Sequence, residues 1–163
     1  MMLRWFKLYK NQYIGFWVLG VVLFVLQEVP YIVMPLFRLA DNPIMHMQES
    51  SQILNICEKI LGSLCVAVMC FVVHEKATVF STGKGIRKAA FVSAAVILLL
   101  NFFGWGLYYS GYQAVWVMMF FMVALPPLYY AAIGVWRENP ILSITAIAFE
   151  IVHVVHVYGN LTM

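Results

Sequence analysis

Glu150 and His153 stand three residues apart in an apolar run near the C-terminus, with His156 a further three residues on. In a helix this spacing puts Glu150, His153 and Asn160 on one narrow stripe, with His156 at its edge. A carboxyl and an imidazole so placed can relay a proton or act as general acid and base. The same Glu-x-x-His unit holds metal in di-metal helical bundles, which need two such units and two further carboxylates. Neither Glu28 nor Glu58 is followed by a histidine three residues on, so a di-iron centre is not expected. A single metal ion, or a haem ligated by His153 or His156, is the remaining metal reading. Met45-His46-Met47 carries two soft sulfurs and an imidazole, a weak copper(I) pattern. His-Glu-x-x-His is absent, which excludes a zinc metalloprotease of that type.

The other polar residues that interrupt apolar runs are Glu28, Glu58, Lys59 and Asn101. Ionisable groups inside a bilayer are costly and need partners or a function. Helical spacing gives Glu28 a stripe with Trp17, Phe24 and Tyr31, and gives Asn101 a stripe with Trp105 and Tyr108. Polar tips among aromatic walls are what a small-molecule pocket is made of. The plainer reading is packing, with polar side chains joining neighbouring helices.

The elements that must position these residues follow from composition. The 163 residues are 64% hydrophobic and only 10% charged, with a mean hydropathy of +0.88. A soluble domain is about half apolar and about a quarter charged. A soluble enzyme, a nucleic-acid binder and a disordered tail are therefore excluded. A spanning helix needs about 20 mainly apolar residues. Five stretches qualify: Ile14–Phe37, Gln52–His74, Ala89–Tyr109, Ala114–Trp136 and Ile141–Tyr158. The expected fold is a single all-α domain over 1–163, a polytopic bundle of five transmembrane helices. The first run is too long for a signal h-region and reads as an uncleaved span. Pro30, Pro35 and Pro126-Pro127 should kink their spans. Cys57, Cys65 and Cys70 share one apolar run and read as packing residues rather than a disulfide framework.

Charge predicts the orientation. Arg4, Lys7, Lys10, Lys76, Lys84, Arg87, Lys88 and Arg137 fall on one side of this topology, and Arg38 falls on the other. By the positive-inside rule the N-terminus is cytoplasmic and the C-terminus outside. Glu28, Glu58, Asn101, Glu150, His153 and His156 then all lie in the outer half of the bilayer. One polar cavity there is the economical expectation.

The C-terminal half resembles the translocator protein family, also called tryptophan-rich sensory proteins. That family has five helices in a chain of this size. Its third helix carries an Asn–aromatic–x–Trp run followed by paired aromatics and Gly. Here the run is Asn101-Phe102-Phe103-Gly104-Trp105, then Tyr108-Tyr109-Ser110-Gly111, with Asn139-Pro140 and Asn160 near the ends of the last helix. The Trp is one residue late, and the family's Pro- and Trp-rich first loop has no counterpart in Leu39–Ser51. The fifth-helix Pro-Tyr-Leu-x-Trp is replaced by the stretch around Ala148-Phe149-Glu150. The resemblance implies a pocket for porphyrins or sterol-like lipids.

The function expected from these residues is binding, sensing or carrying a small hydrophobic or amphipathic ligand. Glu28, Asn101, Glu150, His153 and His156 would supply the polar anchors, with Trp105 and Tyr108 as walls. The alternatives are a membrane enzyme using Glu150 and His153 on a lipid, and an accessory subunit of a membrane complex. Membrane lipids are the expected surroundings, in the plasma membrane of a bacterium, with a second copy or a partner subunit as further expected contacts and no nucleic acid.

Overall fold

The computed structural model of the chain describes residues 2–37, 39 and 42–162. Arg38, the basic residue assigned to the outer side, lies outside the described residues. Five helices are long and apolar enough to cross a membrane: α1 (Val18–Leu36), α2 (Gln52–Phe71), α3 (Ile86–Tyr109), α4 (Val115–Trp136) and α5 (Pro140–Thr162). They make the chain a multi-pass membrane protein by length and composition.

The all-α expectation needs one correction. Met2–Tyr9 (β1) and Gln12–Trp17 (β2) form an antiparallel hairpin, and Val72–His74 (β3) pairs antiparallel with β2. Ile14–Trp17 therefore belongs to a strand rather than to the first span, and the second span gives way to β3 after Phe71. The physical reason lies in the side chains. Tyr13, Ile14, Phe16 and Trp17 are aromatic or β-branched and suit a pleated surface. Hydropathy alone cannot distinguish such a run from the start of a helix. Gly15 makes the sheet possible at its tightest point. A Cβ there would strike the Leu3 backbone carbonyl and come within 2.8 Å of Val73 Cγ2.

The sheet closes one end of the bundle, because β2 runs into α1 and α2 runs into β3. The segment after β3 is held to this end by side-chain donors. Arg4 donates to Ala77 O (2.6 Å), Arg137 to Thr78 O (2.7 Å), Trp17 Nε1 to Val79 O (2.9 Å) and Trp136 Nε1 to Ser81 O (2.7 Å). Arg137 is buried, with its guanidinium 4.3 Å from the Trp17 ring and 5.5 Å from the Trp136 ring. Burial, aided by nearby Arg87 and opposed by Glu138, pushes its pKa down to about 10, so it stays charged at neutral pH.

Contacts between spans put the helices in the order α1, α2, α5, α4, α3 around a ring, with α1 packed much more loosely than the rest. Small residues bring the others close. A Cβ on Gly104 would strike Cβ of Phe121, and one on Gly134 would strike the Ser143 hydroxyl.

Prolines shape α1 and α4 in specific ways. Pro35 has no N–H for the Tyr31 carbonyl, and Met34 N bonds that carbonyl instead, tightening Met34–Leu36 into a 3₁₀ turn. The Pro30 carbonyl thereby loses its helical donor, and the Tyr109 hydroxyl donates to it from α3. In α4, Met118–Ala124 is π-helical and runs directly into Pro126-Pro127. Pro126 can donate to neither the Phe121 nor the Met122 carbonyl. Asn101 Nδ2 donates to Phe121 O across the helix pair, at 2.8 Å.

Candidate functional site

A cavity of about 480 Å³ lies among the spans, in the half of the bundle away from the sheet. The loose fit of α1 leaves this space. Its helix is held by three tyrosine hydroxyls: Tyr109 to Pro30 O, Tyr129 to Leu23 O (3.4 Å) and Tyr130 to Gln27 Oε1 (2.7 Å). The last bond is buried and joins α1 to α4 at the cavity wall.

Each span contributes to the wall. From α1 come Phe24, Gln27, Glu28 and Tyr31, which share one helical face. From α2 come Glu58 and Ser63, and from α3 comes Trp105. The π-helical stretch of α4 turns Met118, Met122 and Val123 inward. Such π segments recur at functional sites because they re-aim side chains within a helix. From α5 come Phe149 and His153, whose rings stack with centroids 5.0 Å apart.

The polar chemistry concentrates in two places. On one side Glu58 faces both histidines of α5. Its Oε1 lies 3.1 Å from His153 Nδ1, without the alignment of a hydrogen bond, so that contact is electrostatic rather than directional. Its Oε2 is hydrogen-bonded to His156 Nδ1. Asn160 Nδ2 lies 3.3 Å from His156 Nε2, and Asn160 Oδ1 accepts from Ser50 N at 2.8 Å. Because the amide donates to Nε2, the proton of a neutral His156 sits on Nδ1 and points at Glu58. On the other side Glu28 is half-buried and makes no hydrogen bond or ion pair among the described residues.

Of the residues singled out from the sequence, Glu28, Trp105 and His153 line the cavity. His156 stands directly behind the wall, bonded to Glu58. The other three stand elsewhere. Asn101 is fully buried against the π segment, with Oδ1 unpartnered. Tyr108 is buried and donates to Asn42 Oδ1 at 2.6 Å, and its hydroxyl also accepts from Ile44 N at 3.3 Å, which pins the connector after α1. Glu150 does not line the cavity, and its Oε2 is buried without a hydrogen-bond partner. The carboxylate that meets the histidines is Glu58, although Glu150 shares their helix.

Gln27, Tyr130 and Ser63 join the wall without a signal in the sequence. Glu58 carries one, as a charge inside an apolar run, and so do Phe24 and Tyr31, on the stripe of Glu28. Among the described residues, no three His, Cys, Asp or Glu side chains converge so as to hold a metal ion. A haem would have to use His153 Nε2, since His156 Nε2 is taken by Asn160.

No family model matches this chain, and no curated protein or solved structure matches it significantly.

Proposed function

We propose that this protein binds a small amphipathic molecule inside the membrane, to sense it or carry it. The observation that supports this reading is the cavity itself. Two carboxyl groups from different helices, Glu28 and Glu58, and an imidazole, His153, line one cavity whose other walls are aromatic and methionine side chains. A volume of about 480 Å³ falls within the usual range for a small-molecule pocket. Purely structural packing would have no reason to leave so large a space beside an unpaired carboxyl. The proposed setting is the plasma membrane of a bacterium, with the sheet end cytoplasmic. Support for that orientation comes from Arg4, Lys7, Lys10, Lys76, Lys84, Arg87, Lys88 and Arg137, all on elements at the sheet end. The cavity then opens into the outer half of the bilayer. The resemblance of the C-terminal half to the translocator protein family is in keeping with this reading, since it implies a ligand held among five helices.

Native mass spectrometry of the gently solubilised protein tests this reading. A co-purified small molecule should accompany the wild type and be lost in Ser63→Phe, which fills the cavity from α2. A bare chain in every preparation, with Ser63→Phe indistinguishable from wild type, would overturn it.

A second reading is an enzyme acting on a lipid, with Glu58 and His153 as the acid–base pair. The 3.1 Å contact between them at the cavity wall favours it. Turnover lost in His153→Gln, with ligand still bound, would distinguish it from the first.

A further inference from the structure

We infer, resting on the cavity reading above, that the ligand is a hydrophobic organic cation, an amine or quaternary ammonium, whose charge is taken by Glu28. Four observations carry this.

The first is charge balance on the wall. Among the described residues, no Lys or Arg lines the cavity. Lys59 follows Glu58 in sequence but is exposed, and does not line the cavity. The second is how the two carboxyl groups are engaged. Glu58 is held by His153 and His156 on α5. Glu28 has no hydrogen bond or ion pair among the described residues, and Gln27 beside it is already bonded to Tyr130. An unpaired carboxyl inside a bilayer is costly, and a cationic ligand supplies the missing partner.

The third observation is the company Glu28 keeps. Phe24 and Tyr31 stand one turn before and one turn after it on the same face of α1. Trp105 reaches in from α3, its ring centroid 6.2 Å from that of Tyr31 and tilted 68° to it. Aromatic rings set at steep angles beside a carboxyl form a cage for an ammonium group, whose charge is attracted to ring faces. The fourth is the remaining wall. Met118 and Met122 are flexible and polarizable, and accept apolar bodies of varied shape. An anionic ligand would face two carboxyl groups. A neutral sterol-like ligand would leave Glu28 unpaired in the occupied cavity, at the cost of its desolvation.

The test uses three probes with one para-butylphenyl body: the trimethylammonium, the benzyl alcohol and the benzoate. Binding is measured by equilibrium dialysis against the full chain in phosphatidylcholine nanodiscs, with empty discs subtracted. The ammonium should bind about tenfold or more tightly than the alcohol, and the benzoate weakest. Glu28→Gln should bring the ammonium to within about twofold of the alcohol, and Trp105→Leu should weaken the ammonium alone. Should Glu28→Gln elute as aggregate, the order of the three probes on wild type and the Trp105→Leu result still decide. Alcohol or benzoate binding as tightly as the ammonium, and blocked by Ser63→Phe, would overturn the cationic ligand and leave the cavity reading standing. No probe binding wild type more than Ser63→Phe would overturn both.

Discussion

Glu58 of α2 and His153 of α5 stand 3.1 Å apart at the wall of the cavity, and the second oxygen of Glu58 is bonded to His156 one turn further along α5. One carboxyl thus ties two helices together, and it does so where both helices border the cavity. A charge in such a place is tolerated because its partners are supplied in advance. Removing one partner leaves the others exposed to that cost.

Glu58→Gln should therefore destabilise the protein by about 1–3 kcal/mol, seen as a lower melting temperature in detergent. His156→Leu should cost a similar amount. The double variant should cost less than the sum, because each single change already forfeits the Glu58–His156 contact. Strict additivity would mean that the contact carries no coupling energy.

Tyr109→Phe should loosen the end of α1. The variant removes only the hydroxyl that serves the Pro30 carbonyl, which the 3₁₀ turn at Met34–Leu36 has stripped of its helical donor. The expected cost is about 1 kcal/mol. Hydrogen exchange should quicken across the second half of α1 and stay unchanged in α4 and α5. Uniform change across all five spans would point to a general role in packing instead.

Gly104→Ala and Gly106→Ala form a matched pair on α3. A Cβ at Gly104 would strike Phe121 in the π segment, whereas one at Gly106 meets nothing within 4 Å. Gly104→Ala should cost about 1–3 kcal/mol by forcing α3 and α4 apart. Gly106→Ala should be neutral or stabilise by up to about 1 kcal/mol, since alanine is the better helix former. Thermal unfolding of the two variants side by side reads the difference.

Arg137→Lys should release the segment that follows β3. Lysine keeps the charge but lacks the planar group that lies over Trp17 and the fork that reaches Thr78 O. The expected cost is about 1–3 kcal/mol. Limited trypsin digestion should cut faster at Lys76 and Lys84. Because the Arg137 pKa is held at about 10, protection of the wild type should be flat between about pH 6 and pH 8.

Orientation can be read with single cysteines placed in a background lacking Cys57, Cys65 and Cys70. Lys84→Cys, at the sheet end, should react with an impermeant maleimide only after the cells are opened. Tyr112→Cys, between α3 and α4 at the other end, should react in intact cells. The reverse pattern would turn the protein over and put the cavity in the inner half of the bilayer.

Five apolar spans, and with them a multi-pass membrane protein, are legible from length and composition. Hydropathy is summed along the chain, so length and composition suffice to find such helices. Sequence also marked Glu28, Glu58 and the two histidines as residues needing a reason, because each interrupts an apolar run. What they meet depends on how the helices pack. The spacing of Glu150 and His153 puts them on one stripe of α5, but a stripe has no partner until helices pack, and α2 brings Glu58 to the histidines. Asn101 and Trp105 share a stripe as well, yet Asn101 serves a carbonyl in the π segment that the prolines of α4 disturb. The hairpin was hidden for a related reason. Tyr13 to Trp17 are apolar enough to extend the first span, and only pairing with β1 and with Val72–His74, nearly sixty residues later, makes them a strand. Contacts of that range depend on how the helices are arranged around the ring, and side-chain periodicity holds no record of that arrangement.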